Sequence, residues 1–155
     1  MPTRIRATID PARSDVEART ERGQLVHMDA VPPHGDGAAA APKETLLAAL
    51  AGCTGMDVAA LLRKKRQSAS SYEILVSADA ATDHPKVFRA ITVVHRVAGK
   101  VDAAALHRCI ELSATRYCPV SAMLSASVVI EHRYELTGAD GKVSEAQVVV
   151  TGPPG

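Results

Sequence analysis

One long apolar segment restricts the fold of this chain more than any other feature. Its apolar residues fall on one stripe at helical spacing: Leu47, Leu50, Thr54, Val58 and Leu61. The pattern predicts a helix from Pro42 to Lys65, with the proline at the first helical position and Glu44 near the positive end of the helix dipole. Because this helix is too apolar for one exposed face, we expect it to form the core of the domain and of a dimer.

Segments with alternating polarity on both sides of this helix predict strands. They are Thr3 to Ile9, Val16 to Thr20, Gln24 to Asp29, Tyr72 to Ala80, Val87 to Val97, Val128 to Leu136 and Ala146 to Thr151. A second helix is predicted from Ala103 to Arg116, capped by Asp102, and a short helical turn from Pro119 to Leu124. This order of elements is typical of an α+β fold.

No linker or internal repeat divides the chain, so we expect one domain over residues 1–155. Residues 1–41 supply the N-terminal strands, the hairpin and a surface loop that could act as a lid, because it is rich in Pro, Gly and Ala. Residues 42–136 form the core, and residues 137–155 form a C-terminal hairpin and tail.

Composition excludes several classes of partner. The 18 basic and 17 acidic residues give a formal net charge of +1, so no nucleic-acid or anionic-membrane partner is expected. The apolar window from Leu46 to Leu62 is interrupted by Asp57, which argues against a membrane helix, and the polar start argues against a signal peptide. The six histidines show no metal-ligand spacing. We expect a cytoplasmic protein without a metal site.

Three cysteines, an odd and sparse set, do not form a secreted disulfide framework. Cys53 lies between Gly52 and Gly55, where it is either a small buried hydrophobe or a reactive thiol. Cys109 falls on the apolar side of the second helix and is interpreted as a packing residue. Cys118 precedes Pro119 at a predicted helix N-cap, where amides and the dipole favour the thiolate, so we expect it to be the more acidic thiol.

Two segments resemble a known family. PKETLLAALAGC, which ends at Cys53 and is followed by Asp57, resembles the first helix of the OsmC/Ohr superfamily of osmotically inducible and organic hydroperoxide resistance proteins. RYCPVS, around Cys118, resembles the superfamily's second cysteine motif. The two motifs lie in the expected order, 65 positions apart, and the resemblance runs from about Gln24 to Leu136.

The resemblance implies an intertwined homodimer in which antiparallel sheets wrap two central helices. It also implies a thiol peroxidase that reduces organic hydroperoxides, with Cys53 as the peroxidatic thiol and Cys118 as the resolving thiol of a disulfide. No bound cofactor is implied. The reductant would be an external dithiol, which in the Ohr branch is a dihydrolipoyl group.

Characterised members activate the peroxidatic thiolate with an Arg from the N-terminal hairpin and a Glu that directly follows the proline. Here Lys43 follows the proline and the acid is Glu44, one position later, while Arg19 and Arg22 are the candidate arginines near the hairpin turn. In a continuous helix Lys43 lies about 80° and Glu44 about 180° from the direction of Cys53. Glu44 is then either an activating group or only a partner of the helix dipole.

Asp57 is a further departure, because it lies four positions after Cys53 on the same helix face. A carboxylate there would raise the thiol pKa, unless it holds an arginine or caps a backbone of the partner chain. These differences place the chain closer to the less characterised OsmC-like branch than to Ohr. Two alternatives stay open: a non-catalytic dimer that binds a small apolar ligand and keeps a redox-responsive cysteine pair, and a purely structural dimer.

Overall fold

A computed structural model describes residues 2–155. The chain forms two compact units, one that ends at Ala48 and one that begins at Ala49. The long helix α1 begins in the first unit and continues in the second.

The N-terminal unit holds an antiparallel sheet of three strands in the order β1-β2-β3. They are β1 (Ile5–Ile9), β2 (Val16–Thr20) and β3 (Leu25–Met28). The predicted strand and hairpin are therefore present, and Gly23 supplies the positive φ of +85° that the hairpin turn requires. All five residues of β1 are exposed in the single chain, so the alternating polarity of this strand does not correspond to a buried face there.

The predicted surface loop before α1 is tied down by one side chain. Asp29, which is 3% exposed, accepts hydrogen bonds from the backbone N–H groups of Ala30 and Ala38, at 2.7 and 2.9 Å. Its own N–H donates to the carbonyl of Ala40. The loop is thus held at both ends by Asp29, which argues against a freely moving lid.

Helix α1 runs from Pro42 to Lys64, one residue shorter than predicted. Its buried residues recur every four positions: Leu50, Thr54, Val58 and Leu62. The stripe therefore ends at Leu62 rather than at Leu61. Gly55 allows α1 to cross close over the following strand, because a Cβ there would lie 2.9 Å from Cδ1 of Ile74.

The C-terminal unit holds a four-stranded sheet in the order β4-β5-β6-β7. Its strands are β4 (Ser68–Ala80), β5 (Phe88–Lys100), β6 (Val129–Gly138) and β7 (Val143–Thr151). The expectation of purely antiparallel sheets is wrong for one pair, because β5 and β6 are parallel. A parallel pair needs a crossover connection, and the helices between β5 and β6 provide it.

That crossover contains α2 (Ala103–Leu112), a π-helical turn (Ser113–Tyr117) and α3 (Pro119–Ser125). The helix predicted from Ala103 to Arg116 is therefore α-helical only as far as Leu112. Its last turn is wider, with the N–H of Cys118 donating to the carbonyl of Ser113 five residues earlier. Asp102 precedes α2 but makes no side-chain cap.

The core lies where α1 and α2 meet the sheet. It contains Val58, Leu62, Val97, Leu106, Cys109, Ile110, Tyr134 and Leu136. By length and hydropathy alone α1 is apolar enough to cross a membrane, and Asp57 by itself does not exclude that. Within this fold it is a core helix, since Leu50 and Val58 are fully buried.

Candidate active site: the paired cysteines of α1 and α3

Two cysteines and one carboxylate meet in the C-terminal unit. Cys53 and Asp57 lie one turn apart on α1, and Cys118 is the N-cap residue of α3. The two Sγ atoms and a carboxylate oxygen of Asp57 all lie within 4.8 Å of one another. Both cysteines are free thiols. The fold therefore brings together the two motifs that lie 65 positions apart in the sequence.

Cys118 is buried and its thiol is not acidic. Its Sγ accepts a hydrogen bond from the N–H of Ser121 at 3.3 Å, as the N-cap prediction requires. Burial nevertheless raises the pKa of Cys118, and with hydrogen bonding to Cys53 and the nearby Asp57 charge the pKa reaches about 12, although the Ser121 amide lowers it. The expectation that Cys118 is the more acidic thiol is therefore wrong, because local capping is outweighed by desolvation.

The two cysteines of the pair differ in access. Cys118 is only 2% exposed, whereas Cys53 is half-buried. Cys109 is fully buried in the core, and burial raises the pKa of its thiol. A solute that enters from solvent therefore meets Cys53 first. The packing position predicted for Cys109 is where the structure places it.

Asp57 is held by a short chain of hydroxyl groups. The Ser113 hydroxyl donates to Oδ2 of Asp57 at 3.0 Å, and it pairs with the Thr54 hydroxyl at 3.0 Å. Thr54 and Ser113 are completely buried. Within residues 2–155 Asp57 therefore has a hydroxyl group as its partner. The partners expected from the sequence were an arginine or a backbone group of the partner chain. Ser113 belongs to the π-helical turn, a conformation common at functional sites.

The other candidate residues lie in the N-terminal unit. Glu44 accepts a hydrogen bond from the N–H of Ala41 at 2.8 Å, which is the geometry of a helix N-terminal cap. Arg19 forms an exposed ion pair with Glu17, and Arg22 is exposed in the hairpin turn. Glu44 therefore stabilises the N-terminal end of α1. Arg19 and Arg22 lie near the hairpin turn at the surface.

Two histidines that show no metal-ligand spacing in the sequence form a buried pair in the structure. Tyr72 Oη lies 2.6 Å from Nδ1 of His95, and Nε2 of His95 lies 3.2 Å from Nδ1 of His132. Burial lowers the pKa of His95 to about 3 and that of His132 to about 4. The signal was present, because both histidines fall on the inward-facing positions of alternating strands.

Comparisons with known proteins agree with this architecture. The profile of the family described as OsmC-like protein matches residues 35–133. Protein YhfA of Escherichia coli K12 is 35% identical over 102 residues, which cover 65% of this chain and 76% of YhfA.

Solved structures share the fold at lower identity. An OsmC-like protein of Mycoplasma pneumoniae superposes with a TM-score of 0.76 at 18% identity, covering 88% of this chain and 97% of that one. The organic hydroperoxide resistance protein OhrB of Bacillus subtilis superposes with a TM-score of 0.61 at 17% identity, covering 86% and 98%. The mixed α+β fold and the profile match together show that this chain belongs to the OsmC-like family.

Proposed function

We propose that the protein is a thiol peroxidase that reduces organic hydroperoxides through Cys53 and Cys118. The observation that carries the proposal is the meeting of an accessible and a buried thiol within 4.8 Å of each other. A disulfide needs the two sulfurs at about 2.05 Å, so the two Sγ atoms have to approach by less than about 3 Å. Membership of a family with members named for organic hydroperoxide resistance supports the substrate class.

In the first step the Cys53 thiolate attacks the distal oxygen of the hydroperoxide. The O–O bond breaks, the alkoxide takes up a proton and leaves as an alcohol, and Cys53 becomes a sulfenic acid. The half-buried position of Cys53 supports this assignment, because a hydroperoxide can reach its sulfur without displacing the core. Cys118, at 2% exposure, is shielded from direct attack.

In the second step Cys118 attacks the Cys53 sulfenic sulfur, and the S–S bond forms as the S–OH bond breaks. The thiol proton of Cys118 balances the leaving hydroxide, so one water is released. The raised pKa of Cys118 suits this role, since the buried thiol keeps its proton until the reaction consumes it. An external dithiol, such as a dihydrolipoyl group, then reduces the disulfide and completes the cycle.

A second copy of this chain is the proposed partner. The single chain leaves large apolar side chains exposed next to the site: Met56 of α1 is 73% exposed and Met123 of α3 is 68% exposed. A Cβ added at Gly52 would have no neighbour within 4 Å, so nothing in the single chain requires a glycine there. A glycine in a helix interior nevertheless costs about 1 kcal/mol relative to alanine. A close helix contact between two copies explains both features.

Met56→Glu is expected to shift the mass measured by analytical ultracentrifugation from dimer to monomer, and an unchanged dimer would contradict this contact.

The test is steady-state consumption of cumene hydroperoxide with dihydrolipoamide as the reductant. Cys53→Ser should abolish turnover. Cys118→Ser should reduce it and lead to accumulation of Cys53 sulfinic acid, visible by mass spectrometry. The matched control is Cys109→Ala, which removes the packing cysteine and should keep turnover near that of the parent. Absence of turnover in the parent protein would favour the ligand-binding alternative, and turnover that survives in Cys53→Ser would refute the assignment of Cys53.

A further inference from the structure

The reduced cysteine pair and Asp57 together have the composition of a metal site. We propose that Cys53, Asp57 and Cys118 bind one Zn²⁺ ion per chain when the two thiols are reduced. The three ligand atoms come from two separate elements, α1 and the N-cap of α3, and already lie within 4.8 Å of one another. Histidine spacings predict no metal site, and the contact between α1 and Cys118 joins residues that are far apart in the sequence.

The distances suit zinc. Zn–S bonds are about 2.3 Å and Zn–O bonds about 2.0–2.2 Å, so two tetrahedral ligands lie about 3.6–3.8 Å apart. Ligand atoms no more than 4.8 Å apart reach those separations by small side-chain rotations. Cys53 and Asp57, four positions apart on one helix face, have the spacing that paired helical ligands use in known zinc sites. Two thiolates and one carboxylate favour Zn²⁺ over Mg²⁺ or Ca²⁺.

The surroundings also resemble those of a metal site. The Ser113 hydroxyl donates to Oδ2 of Asp57 and holds the carboxylate, as outer-shell hydrogen bonds do in zinc proteins. Thr54 in turn holds Ser113. Because Cys53 and Asp57 are half-exposed, an ion has a path to the site. Three protein ligands leave a fourth position for water or a thiol.

Metal binding and disulfide formation use the same two sulfurs, so they exclude each other. Zinc displaces two thiol protons as it binds. An organic hydroperoxide then oxidises the bound form: the zinc dithiolate, one hydroperoxide and two protons give the disulfide, one alcohol, one water and free Zn²⁺. Bound zinc is therefore expected to slow the attack on peroxide, and oxidation is expected to release zinc.

The test is titration of the tag-free, reduced, full-length protein with Zn²⁺ alone, in competition with a chromogenic chelator. We expect one ion per chain and loss of that binding once the protein carries the Cys53–Cys118 disulfide, a comparison that needs no substitution. Asp57→Asn should weaken binding by at least about tenfold, the lower end of the effect of altering even an outer-shell group. Asp79→Asn, an exposed aspartate on β4, and Cys109→Ala are the matched controls and should bind as the parent does.

Cobalt provides a second readout. Co²⁺ should give a thiolate charge-transfer absorption that disappears in Cys53→Ser and in Cys118→Ser, while circular dichroism confirms that these variants fold. Failure of the reduced protein to bind Zn²⁺ stoichiometrically, or binding retained in the disulfide form, would overturn the site. The titration contains no peroxide, so its outcome is independent of whether the protein has peroxidase activity.

Discussion

The buried hydroxyl chain beside the cysteines allows a quantitative prediction. Ser113 has one hydroxyl proton, and it donates that proton to Asp57, so the Thr54 hydroxyl must donate to Ser113. Ser113→Ala removes the acceptor and leaves the fully buried Thr54 hydroxyl without a partner. Stranding a buried polar group costs about 1–3 kcal/mol, and the lost bond to half-exposed Asp57 adds about 1 kcal/mol. We therefore expect a total loss of about 2–4 kcal/mol in the free energy of unfolding.

A double-mutant cycle isolates the interaction between the hydroxyl groups of Thr54 and Ser113. Thr54→Val keeps the side-chain shape and removes one hydrogen bond, at a cost of about 1 kcal/mol. In the double variant Thr54→Val with Ser113→Ala no hydroxyl is stranded, so the combined loss should be smaller than the sum of the single losses by about 1–2 kcal/mol. Equilibrium urea unfolding at one fixed protein concentration measures all four proteins.

Ser121→Ala is the matched control. Ser121 is also completely buried, but its hydroxyl has no hydrogen-bond partner within residues 2–155. Removing an unpartnered hydroxyl should leave the free energy of unfolding unchanged or slightly higher. Single losses in the cycle that add to within about 0.5 kcal/mol would refute the proposed donor order.

Two further predictions concern the sheet of the C-terminal unit. Because the pKa values of His95 and His132 are lowered in the folded chain, the unfolded chain takes up protons at a higher pH than the folded one. The free energy of unfolding should therefore be highest above about pH 6.5 and fall from there toward pH 4. Urea unfolding at several pH values should show a smaller dependence on pH in His132→Gln. A slope equal to that of the parent would contradict the assignment. Gly99→Ala should lower the thermal unfolding midpoint more than Gly141→Ala. Both glycines have a positive φ, but only a Cβ at Gly99 would clash with the backbone, at 2.5 Å from the carbonyl oxygen of Ser68. Equal shifts would show that the φ alone matters.

Local periodicity accounts for what the sequence could predict. The bounds of α1 and the hairpin around Gly23 follow from patterns within a few residues, which is why the structure reproduces them closely. The π-helical turn escapes such reasoning, since residues 103–116 fit ordinary helical spacing. The chemical environment of the site depends instead on distant contacts, such as that between Asp57 and Ser113, 56 positions apart.

The pKa of Cys118 illustrates the same limit. Its N-cap position is visible in the sequence and correct, yet the burial that raises its pKa comes from elements far away along the chain. The family motifs indicated which cysteines to pair. They did not indicate that Glu44 would cap the helix or that two histidines would meet under the sheet.

Cys53 and Cys118 are proposed to act as one redox pair toward hydroperoxides. A single turnover of the reduced protein with one equivalent of cumene hydroperoxide, followed by quantification of the alcohol, thiol titration and disulfide mapping, tests this pairing. We expect one alcohol formed and two thiols lost per chain, a Cys53–Cys118 disulfide, and a free Cys109. Absence of the alcohol, or a protein that keeps all three thiols or pairs Cys109, would contradict it.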